Sequence, residues 1–307
     1  MGFFKAIASF FKSIFGTGKV LEPIPEVIEH PADDPVSNDD DVQPESDIID
    51  PAKPVPTLNP SEYRTWIPYA ENVHKSQGIK IRSRGEYRYG YPEGLVIHFH
   101  SGWALGKRQF WNRFPKKNTI NKSTARRYAL DLMRWGAKKG YLFFALDLMG
   151  NLYQSRPLIK WGYHAGKSYW PSVGRSVSQY FAGIEVLSPG KVTAIGNGQF
   201  KTWFGQIFNQ DLVRYAASSF DNIQKGYYVM YSYEQEEFLI KFCCDLWKYS
   251  PMHNGKKVFQ VTNIVGHDSV SPNRKDDPGY SLSVSVPVFQ GKVKAALEKE
   301  GYVVEGV

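Results

Sequence analysis

The chain has 307 residues, 42% of them hydrophobic and 15% aromatic, and a formal charge of +8. That length and apolar content leave room for a sizeable core and exclude a wholly disordered chain. Its two cysteines, Cys243 and Cys244, are adjacent in a helix-like run, which rules out both a disulfide framework and a pair between them. The charge is unevenly spread. Residues 20–60 hold eleven acidic side chains and one lysine, so the remainder carries +18. A surface that basic suits polyanions, whether nucleic acid, anionic lipid or an acidic cell-wall polymer, and charge alone does not choose among them.

The first stretch, "MGFFKAIASFFKSIFG", predicts an amphipathic helix within residues 1–18. Phe3, Phe4, Ile7, Phe10, Phe11, Ile14 and Phe15 recur with helical spacing. It is too short to span a bilayer, and Lys12 interrupts the apolar run that a secretory signal needs. Residues 1–16 can meet a membrane interface or a protein partner, or dock on the main domain, and the pattern fits each. Residues 19–60 are acidic and proline-rich without sustained periodicity, which predicts a disordered linker. The folded domain is expected from 61 to 307.

Within it, "GLVIHFHSG" reads as a buried strand bounded by glycines. "NKSTARRYALDLMRWGAKKG" reads as a helix with Ser123 as its N-cap and Gly140 past its end. "YLFFALDLMGNLYQ" predicts two strands around a turn at 147–151, and "FAGIEVLS" another strand. In "SYEQEEFLIKFCCDLWKY", Ser232 and Gln235 match a capping box ahead of a helical face. "FQVTNIVGH" is a final strand that runs into "GHDSVSPNRKDDPGY", read as a loop. Strands alternating with helices imply an α/β fold, a sheet covered by helices.

Hydrolytic zinc sites take three protein ligands from His and Asp or Glu and leave one position for water. The candidates here are His98 and His100, two apart on one strand and so on one face, with His164 and His267 and the acids Asp268, Asp276 and Asp277. None has the spacing of a His-Glu-x-x-His helix, so the residues alone leave the ligand set open.

The ordered blocks "GLVIHFHSG", "ALDLMGNLYQ", "YHAGKSYW", "FAGIEV" and "IVGHDSVSPNRKDDPG" resemble the zinc-dependent N-acetylmuramoyl-L-alanine amidases. That family shares its fold with peptidoglycan recognition proteins and phage amidase endolysins. The last block, a histidine after a strand and then Arg-Lys-x-Asp-Pro-Gly, is the most specific part. The resemblance covers roughly residues 94–280. It implies a central mixed β-sheet flanked by helices, with zinc held by His98, His267 and Asp277. It also implies catalytic roles for Glu185 and Lys275, and a substrate cleft lined by His164. His100 is the rival to His98, or else it supports a ligand from outside or touches substrate. Trp103, Tyr163, Tyr169 and Trp170 are candidate walls for sugar or peptide. The implied activity cuts the amide between N-acetylmuramic acid and the L-alanine of the stem peptide, as in a phage or prophage lytic enzyme, with peptidoglycan as partner.

Two alternatives stand beside it. One is a peptidoglycan-binding protein of the same fold without hydrolysis, although such relatives lack part of the ligand set. The other is a nucleic-acid binder, suggested by "KIRSRGEYRYGY" and the charge. No recognised module surrounds that segment, so no nucleic-acid partner is expected. The stretch 187–231 is longer than the family's usual link, which makes it a candidate for remodelling the cleft rim.

Overall fold

A computed structural model describes residues 65–80, 83–100, 122–141 and 143–305. The expected helix at 1–18, the linker at 19–60 and Trp103 lie outside these residues. In chain order the strands are β1 (Glu71–Asn72), β2 (Gly94–Phe99), β3 (Phe144–Leu146), β4 (Leu152–Gln154) and β5 (Phe181–Val186). There follow β6 (Lys191–Gly196), β7 (Gln199–Lys201), β8 (Ile207–Asn209), β9 (Val213–Ala216), β10 (Gly226–Val229) and β11 (Ile264–Gly266), with a few two-residue ladders besides. The helices used below are α1 (Lys122–Lys139), α2 (Tyr233–Tyr249), the single turn α3 (His267–Val270) and α4 (Val286–Lys299).

The principal sheet is mixed, in the order β1-β4-β3-β5-β2-β11. β2 is parallel to both its neighbours, β5 is parallel to β3, and β4 turns back antiparallel on β3. The hairpin between β3 and β4 forms because the Asp147 carboxylate accepts the backbone N–H groups of Met149 and Asn151 at 2.9 Å. All six residues of β2 are buried, as befits a central strand covered on both faces.

Alternation along the strands sets the layers. Leu95 and Ile97 of β2 and Ile184 of β5 pack with Leu239, Phe242 and Leu246 of α2 and with Phe289, Val293 and Leu297 of α4. On the other face, Tyr128, Leu132 and Met133 of α1 cover Ala145 and Tyr153. Val96, Phe181 and Val265 join Ala165, Val177 and Val270 in a third cluster. His98 and Glu185 share the parity of Val96 and Phe181, so both project away from α2 and α4. The architecture is a central mixed sheet flanked by helices.

Several local expectations hold. α2 begins with the full capping box: Ser232 Oγ accepts the Gln235 N–H at 3.1 Å, and the Gln235 side chain accepts the Ser232 N–H at 2.9 Å. Ser232 Oγ also donates to Leu148 O. Ser232→Ala is therefore expected to destabilise the fold by about 1–2 kcal/mol, read from the midpoint of chemical denaturation. Gly140 ends α1 in the left-handed region at φ 75°.

Other expectations change. Ser123 lies inside α1 rather than capping it, because the helix already begins at Lys122. The final strand is only three residues long, preceded by a 3-10 turn at Val261–Asn263. The stretch after it opens as the helical turn α3, not as loop. The long segment after β5 forms its own antiparallel sheet, β8-β7-β6-β10-β9, around Val192, Phe200, Phe208 and Val229. Its first hairpin turns at Asn197-Gly198, with φ of 51° and 68°, the chemistry that a tight two-residue hairpin demands. Among the described residues no helix is long and apolar enough to cross a membrane.

Candidate metal centre and cleft

The site gathers at the carboxyl ends of parallel strands, where open α/β sheets present functional groups. His98 is the fifth residue of β2, and its register partner on β5 is Glu185. Gly266 of β11 pairs with Ile97, so the next residue, His267, enters α3 at the level of His98. The chain then turns through 271–276 and brings Asp277 back, held by a 2.7 Å hydrogen bond from the Asp268 N–H to Asp277 O.

Three ligand atoms converge. His98 Nδ1 and His267 Nδ1 are 2.9 Å apart, and Asp277 Oδ2 lies 2.9 Å from the first and 3.0 Å from the second. All three residues are buried, and these three form a group able to hold a metal ion.

The outer hydrogen bonds decide what these atoms present to one another. His164 Nε2 is 2.9 Å from Phe181 O, a carbonyl that only accepts, so the proton sits on Nε2 and Nδ1 keeps its lone pair. His98 Nε2 is 3.1 Å from that lone pair and must donate to it. His267 Nε2 is 3.1 Å from Ala165 O and must donate likewise. Each neutral ring thus carries its proton outward and turns an Nδ1 lone pair inward. Two lone pairs and a carboxylate oxygen crowd within about 3 Å, an arrangement that repels itself unless a cation or a proton enters it. The donor set, two imidazoles and one carboxylate with each imidazole N–H fixed from outside, fits a zinc ion.

The titration behaviour agrees. Burial, then the neighbouring His267, pushes His98 down to about 4, with Asp277 pulling the other way. His164 is pushed well down, by burial first and by His98 second. Burial would raise the Asp277 carboxyl, but hydrogen bonds and positive charge from His267 and His98, which act when a proton rather than a cation enters the triangle, more than reverse that and hold it below the usual range. Neutral rings and an ionised carboxylate are the states a metal requires.

His98, Glu185, Lys275, His164 and His100 line one cavity of about 390 Å³ together with Trp135, Tyr141, Tyr163 and Arg274. Glu185 is pushed up to about 8, by burial first and the Asp277 charge second, while Lys275 opposes this. His100 stays outside the three-ligand group. It is 8% exposed, its Nε2 has no hydrogen-bond partner among the described residues, and burial pushes it down to about 3. Tyr163 borders the cavity, whereas Tyr169 lies outside it and Trp170 is tied to Asn263 Oδ1 at 3.1 Å. Asp276 is 3.4 Å from Lys191, a surface pair as expected of a loop acid. Asp268 departs from that expectation: it is 3% exposed, and burial raises its carboxyl to about 7.

Arg274 is a residue whose role the sequence conceals. Its guanidinium donates to Ala165 O at 2.8 Å, Lys167 O at 2.9 Å and Ser271 Oγ at 2.7 Å, which ties the 271–277 loop to the segment carrying His164. Its place inside the "NRKDDPG" block was the available signal. Gly183 is another such residue. A Cβ there would come within 2.6 Å of the His164 ring, so this ring lies flat on β5 only because residue 183 has no side chain. Gly183→Ala is expected to displace His164, release the His98 N–H and weaken zinc affinity about 10- to 100-fold, measured by competition with a chromogenic chelator.

No family model and no curated protein matches the chain. Solved structures do, distantly. A selenomethionyl AmpD derivative is 18% identical, covering 74% of this chain and 96% of that one, with a TM-score of 0.38. The N-acetylmuramyl-L-alanine amidase AmiD from E. coli, solved with an anhydro-muramyl tripeptide substrate, is 17% identical, covering 64% and 56%, with a TM-score of 0.36. AmpDH3 from Pseudomonas aeruginosa is 12% identical, covering 75% and 74%, with a TM-score of 0.37. Likenesses this distant leave the question of function to the side chains themselves.

Proposed function

We propose that this chain is a zinc-dependent N-acetylmuramoyl-L-alanine amidase, cutting the amide that joins the lactyl group of N-acetylmuramic acid to L-alanine. The observation that carries the reading is the buried triangle of acceptors, His98, His267 and Asp277, opening into a cavity that also holds Glu185 and Lys275. A zinc ion held by these three residues would supply a water acidic enough to ionise near neutrality and would polarise the scissile carbonyl. Glu185, level with His98 on the adjacent strand, accepts a proton from the attacking water and returns it to the leaving amine. Lys275 places an ammonium on the cavity wall, where negative charge develops on the amide oxygen. His164 lines the same cavity and fixes the tautomer of His98.

The purified chain incubated with peptidoglycan is expected to release stem peptides bearing a free L-alanine amino terminus. A chelator should stop this, and added zinc should restore it. Release that continues at an unchanged rate after metal removal would overturn the reading.

A further inference from the structure

Across the additional sheet, Lys191 of β6 pairs with Tyr228 of β10, and Tyr228 pairs with Arg214 of β9. Directly opposed residues share a face, so these three side chains form one row across three strands. The other face of the sheet buries Val192 and Val229 in its own small core. Each member of the row meets a different residue of the segment 276–281, which follows directly on Lys275 and contains Asp277.

Lys191 Nζ stands 3.4 Å from Asp276 Oδ2 and donates to Gln224 Oε1 at 3.0 Å, while Gln224 Nε2 faces Lys275 O at 3.5 Å. The Tyr228 ring is fully buried against the Cα of Gly279, where a Cβ would collide with it. Gly279 also has φ 50°, so glycine satisfies both the turn and the close approach. Arg214 Nη1 donates to Ser281 O at 2.9 Å, and its guanidinium lies 3.5 Å from Glu236 Oε1 of α2. The Tyr231 N–H reaches the same Ser281 carbonyl at 2.9 Å, and the Tyr231 hydroxyl donates to His98 O at 3.1 Å.

The grips differ in strength. The Lys191–Asp276 pair is a third exposed, so water screens it and it contributes least. Arg214 exposes only 23% of its side chain and holds a carbonyl rather than a mobile acid. The Ser281 N–H closes a turn on Pro278 O at 3.2 Å, so a hold on the Ser281 carbonyl orients the turn that begins immediately after Asp277. A ligand's outer partners set its aim at a metal, and this row supplies such partners through the backbone. We propose that the row Lys191–Tyr228–Arg214 is a clamp that sets Asp277 and Lys275, with Arg214 as its chief positioning residue. The long segment after β5 is thereby part of the support of the metal centre. The clamp rests on the zinc amidase reading for the task of the loop it holds.

The test loads the full chain with cobalt(II), which takes the same nitrogen and oxygen donors as zinc and, unlike d¹⁰ zinc, has a visible band that reports its geometry. Arg214→Gln is expected to shift that band and to weaken zinc about tenfold in competition with a chelator. Arg214→Lys keeps a cation near Glu236 but loses the planar fork, and should recover part of both. Ile207→Ser, on the strand β8 at the opposite edge of the sheet, should match wild type. A lower melting temperature in Arg214→Gln with an unchanged band and affinity would make the row a packing feature only and overturn the clamp. Should Arg214→Gln fail to fold, the half-exposed Lys191→Gln decides: a shifted band with about twofold to fivefold weaker zinc is expected, and an unchanged band overturns the clamp equally. The two readings fail separately. A band that depends on Arg214 in a wild-type chain without hydrolytic activity would keep the clamp and sink the amidase. Metal-dependent hydrolysis with an unchanged band would do the reverse, and a wild type that takes up no metal would sink both.

Discussion

Asp277→Asn is expected to abolish stoichiometric zinc uptake and to lower amide hydrolysis by more than about a hundredfold, beyond the range seen when only an outer partner of a ligand is lost. The substitution keeps the shape of the side chain and replaces one acceptor with an amide. Zinc should raise the melting temperature of wild type and leave that of the variant unchanged. A variant that binds zinc as tightly as wild type would remove Asp277 from the ligand set.

The second large effect concerns Glu185. Glu185→Gln should bind zinc normally and lose about 10²- to 10⁴-fold in kcat with little change in KM, the signature of a lost proton shuttle. The same variant carries a stability signal of known sign. The folded Glu185 carboxyl is raised to about 8, chiefly by burial, from an unfolded value near 4.3. Below about pH 4 both states hold the proton and the group contributes nothing. Between about 4 and 8 the unfolded chain releases its proton while the folded chain keeps it, so stability falls as pH rises through that window. Metal-free Glu185→Gln should thus melt above metal-free wild type at pH 8 and level with it at pH 4. Equal melting temperatures at both pH values would mean that the carboxyl is solvated and poorly placed for the role.

How much of this was legible beforehand differs by element. The strand "GLVIHF", the Asp147 turn and the Ser232–Gln235 box are local features, and local chemistry specifies them fully. The choice of His98 over His100 is not local. A period of two places both on one side, and only the pairing of β11 with β2 delivers His267 and Asp277 to the level of His98. The proton order through His164 is equally hidden, because it depends on Phe181 O, which is 17 residues away in sequence. The additional sheet did leave a trace in Asn197-Gly198, flanked by alternating residues, but short antiparallel strands give weaker periodic signals than a helix does. α4 also left one: Val286, Phe289, Val293 and Leu297 fall on a single helical face, and all are buried. Asp268 shows the opposite failure. Its neighbours suggest solvent, and the folding of α3 against Asp277 buries it.

The most direct measurement of the central claim uses a defined muramoyl-peptide and reads the products by mass spectrometry after incubation with zinc-loaded protein. Two products are predicted, free N-acetylmuramic acid and a peptide beginning at L-alanine, formed by wild type and lost in Asp277→Asn. Intact substrate, or fragments cut at a glycosidic bond or inside the peptide, would contradict the assignment.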